Sequence, residues 1–278
     1  MAINNFIPTV WSEALYQTLQ DSYVAASHCN RDFEGVIREK GDVVKVCGIN
    51  NVTVRDYKKN SNMQSAEELK DFFQTLSIDH AKYFNFQIDD IDRAQGSPRL
   101  MELAMKNAAA ALANEADCAI FKLHGHATER VVCDSIDETT VLDAFLNARS
   151  RLYTNKVSNS DDIVIEVSPQ IAELIVKAKM TTIPFNDTLE TGCIGNIAGC
   201  KVFVSSNVAT EDIEGNVTHF CTMRTKRSIA FAEQLSEIQA YRPELRFADA
   251  VKGLYLFGTD IIYPNEYVSV ELTFNNPI

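Results

Sequence analysis

A chain of 278 residues, 46% hydrophobic and 23% charged, is long enough for one large domain or two small lobes and too apolar for wholesale disorder. Its formal net charge is −12, with 38 acids against 26 Lys and Arg. That balance disfavours wrapping of nucleic acid, which needs cations to displace phosphate counterions. No run approaches ~18 consecutive apolar residues, so no membrane span is expected, and the opening MAINNFIPTVWSEAL has no basic stretch leading into an apolar one, so no secretory signal is read there.

The seven cysteines (Cys29, Cys47, Cys118, Cys133, Cys193, Cys200 and Cys221) are odd in number, scattered, and never spaced C-x-x-C. They read as reduced thiols of a cytosolic compartment, used as small apolar side chains.

Residues 1–34 are largely irregular, with Trp11, Leu15 and Leu19 at helical spacing, which predicts a short amphipathic helix from Ser12 with Trp11 as an anchor. Residues 43–49 (VVKVCGI) and 52–57 (VTVRDY) are β-branched runs broken at Gly48, Asn50 and Asn51, a hairpin-like chemistry. After the polar stretch 58–70, residues 72–78 (FFQTLSI) and 81–88 (AKYFNFQI) alternate and predict strands. A long two-stranded ribbon buries too little to be stable alone and needs a surface to lie on. A neighbouring subunit is the natural candidate.

Residues 97–124 carry the strongest helix signal. Ser97 is a good N-cap, Pro98 suits the first helical position, and no breaker follows before Gly125. About 27 residues would make a rod of about 40 Å. The alanine run 108–111 allows other backbones to approach closely.

Residues 140–152 have helical periodicity, with Val141, Phe145, Ala148 and Leu152 on one face. Residues 162–167 (DIVIEV) read as a strand, 169–179 as a helix opened by Pro169, and 201–205 (KVFVS) as a strand. The tail is mostly strand, at 229–234, 251–262 and 267–273. With no internal repeat and no low-complexity linker, the chain reads as one intertwined α+β unit.

The order of arm, ribbon, long helix, mixed lobe and C-terminal strands resembles the Hong Kong 97 type capsid fold of tailed phages. Three stretches bring the match closer: 5–8 (NFIP) with 11–13 (WSE); 80–92 (HAKYFNFQIDDID) with Ala94 and Gln95; and 231–234 (FAEQ), 240–244 (AYRPE) and 247–258 (FADAVKGLYLFG). In that order they are similar to the opening, the spine-helix approach and the C-terminal signature of a branch of phage major capsid proteins.

The resemblance implies a phage major capsid protein with an N-terminal arm at 1–34 and an extended loop at 35–80. It implies a peripheral domain at 81–136 and 228–278 with a spine helix at 97–124, and an axial α/β domain at 137–227. It implies a non-enzyme without cofactor or metal that assembles as hexamers and pentamers around packaged DNA and is located in the virion after assembly in the host cytoplasm. Its partners would be copies of itself, a portal and an optional decoration protein. Because the chain starts directly at the arm, a separate scaffolding protein, or none, is expected. The acidic balance suits a surface that faces packed DNA without sticking to it.

For a shell, the charged residues of interest are Lys58, Lys59, Glu67 and Glu68 in the loop, Arg99 and Lys106 on the spine helix, and Arg242 and Glu244 near the C-terminal turn. The loop acids of one subunit are expected against Arg99 and Lys106 of the next, and all of them are also ordinary solvated side chains. Arg242 suits a forked bond to a carboxylate, inside the subunit or across an interface. Lys58, Lys59 and Asn60 are the residue types of a Lys–Asn cross-link, but no buried carboxylate is evident to activate the lysine.

Two rival readings stand beside this one. A shell of the encapsulin type shares the fold but encloses cargo enzymes. A metal-dependent enzyme would need His124 and His126 with Cys133 or Asp134, in a spacing that matches no closed tetrahedral motif. A histidine at a helix C-terminus is favoured by the helix dipole without any metal. The acids Asp89, Asp90 and Asp92 lack the glycine and distal glutamate of a calcium loop, and residues 192–199 (GCIGNIAG) do not have phosphate-loop spacing.

Overall fold

In the computed structural model, which describes residues 7–32, 41–49, 56, 59, 71–89, 100–157, 162–178, 193–213 and 215–274, the chain folds around two large apolar cores and a small third. Helix α1 spans Ile7–Ser22, so it begins more than a turn before Ser12. Leu15 and Leu19 are buried one turn apart, while the side chain of Trp11 lies outside the described residues. Helix α2, the long one, spans Leu100–Phe121 and passes into a 3₁₀ turn at Lys122–His126. At its C-terminal end the α-helix stops at Phe121 and not at 124, because the last turn tightens to satisfy carbonyls that no longer have a helical donor. Ser97 and Pro98 lie outside the described residues. Met105, Ala109, Ala113 and Ala116 make the stripe of α2 that shares a core with Leu15 and Leu19, and α1 lies directly on α2.

Strand β1 (Val43–Ile49) pairs antiparallel with β2 (Asp71–Ser77), from Val43 opposite Ser77 to Ile49 opposite Asp71. Of the run at 52–57, expected to form a hairpin with β1, only Asp56 lies within the described residues. The apolar face decides the pairing: Val44 and Leu76, opposite one another, are both buried, as is Ile78.

Strand β3 (His80–Asp89) belongs to another sheet. It joins β10 (Ile229–Tyr241) and β11 (Ala248–Ile261) in the order β10–β11–β3, antiparallel throughout. One face turns Phe84, Phe86, Val251, Tyr255 and Phe257 towards α2. The root of the other face is covered by Val44, Leu76 and Ile78, which cluster with Ala230, Ala232, Leu256 and Ile262. Gly258 permits this approach: a Cβ there would lie 2.3 Å from the Ser77 carbonyl oxygen.

The second core belongs to a seven-stranded sheet in the order β4–β12–β9–β5–β7–β6, with β8 beside β9. These are Glu129–Cys133 (β4), Ile163–Val167 (β5), Cys193–Ile197 (β6), Cys200–Val204 (β7), Thr210–Ile213 (β8), Asn216–Thr225 (β9) and Tyr267–Phe274 (β12). Helices α3 (Thr140–Thr154) and α4 (Pro169–Lys177) cover one face. The four α3 residues expected on one face, Val141, Phe145, Ala148 and Leu152, are all buried there. Ser168 caps α4 by accepting from the Ile171 N–H at 3.5 Å, with Pro169 next. Strands β4 and β12, placed with the spine helix in the sequence reading, pair into this sheet, β4 running parallel to β12. The result is a mixed α+β architecture.

Candidate assembly surfaces and the clamp behind them

The backbone following α1 forms no regular element beyond a 3₁₀ turn at Ala26–His28, yet Tyr23, Ala25, Ala26 and His28 are buried. Buried backbone without a ladder needs other partners; Asp117 and Arg224 supply them, and two further buried acids, Glu166 and Glu233, hold Arg224 and the side chains of the segment. From α2, Asp117 accepts the N–H groups of Val24 (2.9 Å), Ala25 (3.1 Å) and Ala26 (3.0 Å). From β5, Glu166 holds Arg224 of β9 in a fork at 3.0 and 2.8 Å, and accepts a hydrogen bond from the Thr222 hydroxyl at 2.7 Å. The same guanidinium donates to the carbonyls of His28 (2.7 Å) and Ala25 (3.0 Å). From β10, Glu233 accepts from the hydroxyls of Tyr23 and Tyr255 and pairs with Arg31.

The electrostatics follow from burial. Arg224 and Glu166 are both at 0% exposure, so each supplies the countercharge that the other has lost from water. Asp117 pairs with no such cation among the described residues; burial pushes its carboxyl up to about 6, against the pull of the three N–H donors. Burial also lowers the pKa of His28, whose ring lies 4.0 Å from that of Phe203, and raises the Cys29 thiol to about 12. The arrangement fastens residues 23–31 to the long helix and to both sheets.

The opposite situation holds on the outer face of the three-stranded sheet. Beyond the root covered by β1 and β2, Tyr83 is 79% exposed opposite Leu254. Tyr241 donates from its hydroxyl to Asn85 Oδ1 at 3.0 Å, and Lys252 lies over its ring. A shallow recess of about 330 Å³ opens between Tyr83, Asn85, Gln239, Lys252 and Leu254, floored at Gly253. At the end of the β10–β11 hairpin, Leu245 and Phe247 are 96% and 83% exposed. Large apolar side chains gathered at one end of a sheet mark an interaction surface.

Neither a protein-family model nor a curated protein matches the sequence. Solved structures do. A structure of Mycobacterium phage Che8 is 26% identical, covers 89% of this chain and 90% of its own, and superposes with a TM-score of 0.68. The capsid of Ralstonia phage GP4 gives 0.69 at 12% identity, with 92% and 89% covered. A virus-like particle from Pyrococcus furiosus gives 0.56 at 11% identity, with 93% and 96% covered. This is the phage capsid fold. The resemblance to tailed-phage major capsid proteins thus extends from three stretches of sequence to nearly the whole chain.

Within the capsid fold, the charged residues singled out in the sequence fall into three groups. Lys58, Glu67, Glu68 and Arg99 lie outside the described residues, as does Asn60. Lys59 is exposed, and Lys106 is exposed on α2 with Glu102 one turn away at 3.4 Å. Arg242 and Glu244 are exposed in the turn that also carries Leu245 and Phe247.

His124 stacks on Phe220 at 3.9 Å with Nδ1 buried, whereas His126 is exposed and the Cys133 thiol donates to the Ser135 carbonyl. Among the described residues no three His, Cys, Asp or Glu side chains are grouped to hold a metal ion. Residues 193–199 form β6 and the tight turn into β7, with Ala198 and Gly199 at positive φ. No helix among the described residues is long and apolar enough to cross a membrane.

The clamp residues Tyr23, Asp117, Glu166, Arg224 and Glu233 were not singled out in the sequence. The available signal was an ionisable residue on an otherwise apolar face: Glu166 inside IVIEV, and Asp117 one turn from Ala113 on the buried stripe of α2.

Proposed function

We propose that this chain is the major capsid protein of a tailed phage, self-assembling as hexamers and pentamers into the icosahedral or prolate shell around a double-stranded DNA genome. The observation that carries this is the capsid fold, matched over about nine-tenths of the chain. A portal and a separate scaffolding protein are its partners, a decoration protein an optional one, and assembly takes place in the host cytoplasm. In this reading residues 1–34 are the arm, 35–80 the extended loop, 81–136 and 228–278 the peripheral domain, and 137–227 the axial domain, with β4 and β12 completing the axial sheet.

The loop acids Glu67 and Glu68 of one subunit meet Arg99 and Lys106 of the next. Lys106 suits this role because its bond to Glu102 is an exposed pair within one helix, a weak competitor. Reversing both loop acids to Lys blocks assembly while the subunit stays folded; normal shells from that variant sink the idea.

The chain expressed alone, then with a neighbouring scaffold gene, tests the shell reading by light scattering and negative-stain microscopy. Closed shells, capsomers or polymerised sheets support it. A well-behaved monomer at high concentration, with scaffold present, refutes it. The Pyrococcus furiosus particle supports a second reading, an encapsulin-like compartment. Purified shells that hold protein cargo and no nuclease-protected DNA would favour that alternative.

A further inference from the structure

We propose that the β10–β11 turn of one copy docks into the recess on the three-stranded sheet of a second copy. This rests on the shell reading and names a contact that the shell would use.

Both halves lie on the same sheet. The turn presents Leu245 and Phe247, almost fully exposed, beside Glu244. The recess has apolar walls in Tyr83 and Leu254, the strand backbone at Gly253 beneath them, and Lys252 at its rim. Its volume of about 330 Å³ accommodates an aromatic ring. The chemistry is matched twice: apolar knob with apolar hollow, and the Glu244 carboxylate with the Lys252 ammonium.

The turn cannot fill its own recess. It is the end of the hairpin whose last pair is Tyr241 opposite Ala250, two residues from Lys252, and folding back would break that pairing. A second copy has the same recess in an unbroken sheet.

Where knob meets hollow in one direction only, the contact is head-to-tail. Such contacts close into rings or run on from copy to copy. Either outcome knits neighbouring subunits of a shell. The outward-facing charges keep the free monomer soluble until concentration or scaffold brings copies together.

The test uses the full-length chain. Phe247→Cys and Tyr83→Cys variants are co-assembled, gently oxidised, and the linked peptides identified by mass spectrometry, which separates them from links among native thiols. A disulfide between positions 247 and 83 of different copies is expected. A 247–247 link, which places the turns against each other, overturns the proposal, as does no link in well-formed assemblies.

Charge exchange gives a second reading that does not depend on cysteines. Glu244→Lys and Lys252→Glu each raise the concentration needed for assembly about tenfold, and the double variant restores it. All four positions are exposed, so circular dichroism should be unchanged. Protection of the recess only when a different protein is added overturns the assignment to a copy. If the unaltered chain forms no assemblies at all, the shell reading falls with it. Assemblies indifferent to every variant overturn the docking contact alone.

Discussion

Replacing Arg224 by Met tests the clamp most directly. The guanidinium is wholly buried, and the new side chain fills much of its volume without its charge. Glu166 is then left buried with the Thr222 hydroxyl as its donor among the described residues. Stranding one member of a buried pair costs about 3–5 kcal/mol. The His28 carbonyl also loses its donor at 2.7 Å, adding about 1 kcal/mol. The Ala25 carbonyl is spared, because it still accepts from His28 N at 3.1 Å and from the Cys29 thiol.

The expected loss is therefore about 4–6 kcal/mol, a large share of a typical domain's stability of about 5–15 kcal/mol. Urea unfolding of dissociated subunits measures it. The paired variant Arg224→Met with Glu166→Leu removes both charges together and should recover most of the loss, with a coupling energy above about 2 kcal/mol. A single variant that loses less than about 1 kcal/mol, or a coupling near zero, would refute the claim that this pair holds the segment.

Three further outcomes are expected. Because burial raises the Asp117 carboxyl from 3.8 to about 6, the folded state binds a proton more tightly than the unfolded one, so this residue's contribution is full below about pH 4 and is lost as pH rises to 6. The shift of about two units corresponds to about 3 kcal/mol, and the difference in urea midpoint between wild type and Asp117→Asn should move across that window. Gly258→Ala drives a methyl into the Ser77 backbone and should cost about 1–3 kcal/mol, with faster amide exchange at Ile78, whereas Gly253→Ala presses on the far edge of the Phe84 ring, a side chain that can give, and should cost less. Ser168→Ala removes the cap of α4 and should lower stability by about 1 kcal/mol in the same urea assay.

Elements whose signal is local were legible in the sequence. The stripe Val141, Phe145, Ala148, Leu152 fixed α3, and Pro169 fixed the start of α4, because helix-start signals and helical periodicity act within a turn or two. Strand β9 was missed: NVTHFCTMRT mixes polar and apolar residues, since its two faces meet different surroundings. Cys221 and Met223 face the helices, while Thr222 and Arg224 meet the clamp. The pairing of β1 with β2 was not read from the sequence for a related reason. It is decided by burial of Val44 and Leu76 against a sheet formed almost two hundred residues later.

The clamp also bears on how the two large cores are held at one angle. Apolar contact is non-directional and tolerates sliding, and a shell subunit must vary at its edges while its interior keeps one arrangement. Residues 23–31 lie between the cores: Tyr23, Ala25, Ala26 and Cys29 belong to the first, and Arg224 reaches them from the sheet that carries the second. The forked Arg224–Glu166 bond and the three N–H bonds to Asp117 are directional, and a slip of one residue would leave buried charge and backbone groups unpaired at once. Polar groups are thus spent on fixing one register inside the subunit. Tyr83, Leu254, Leu245 and Phe247, by contrast, are left uncovered on the outer sheet face and at the hairpin end, away from these directional bonds.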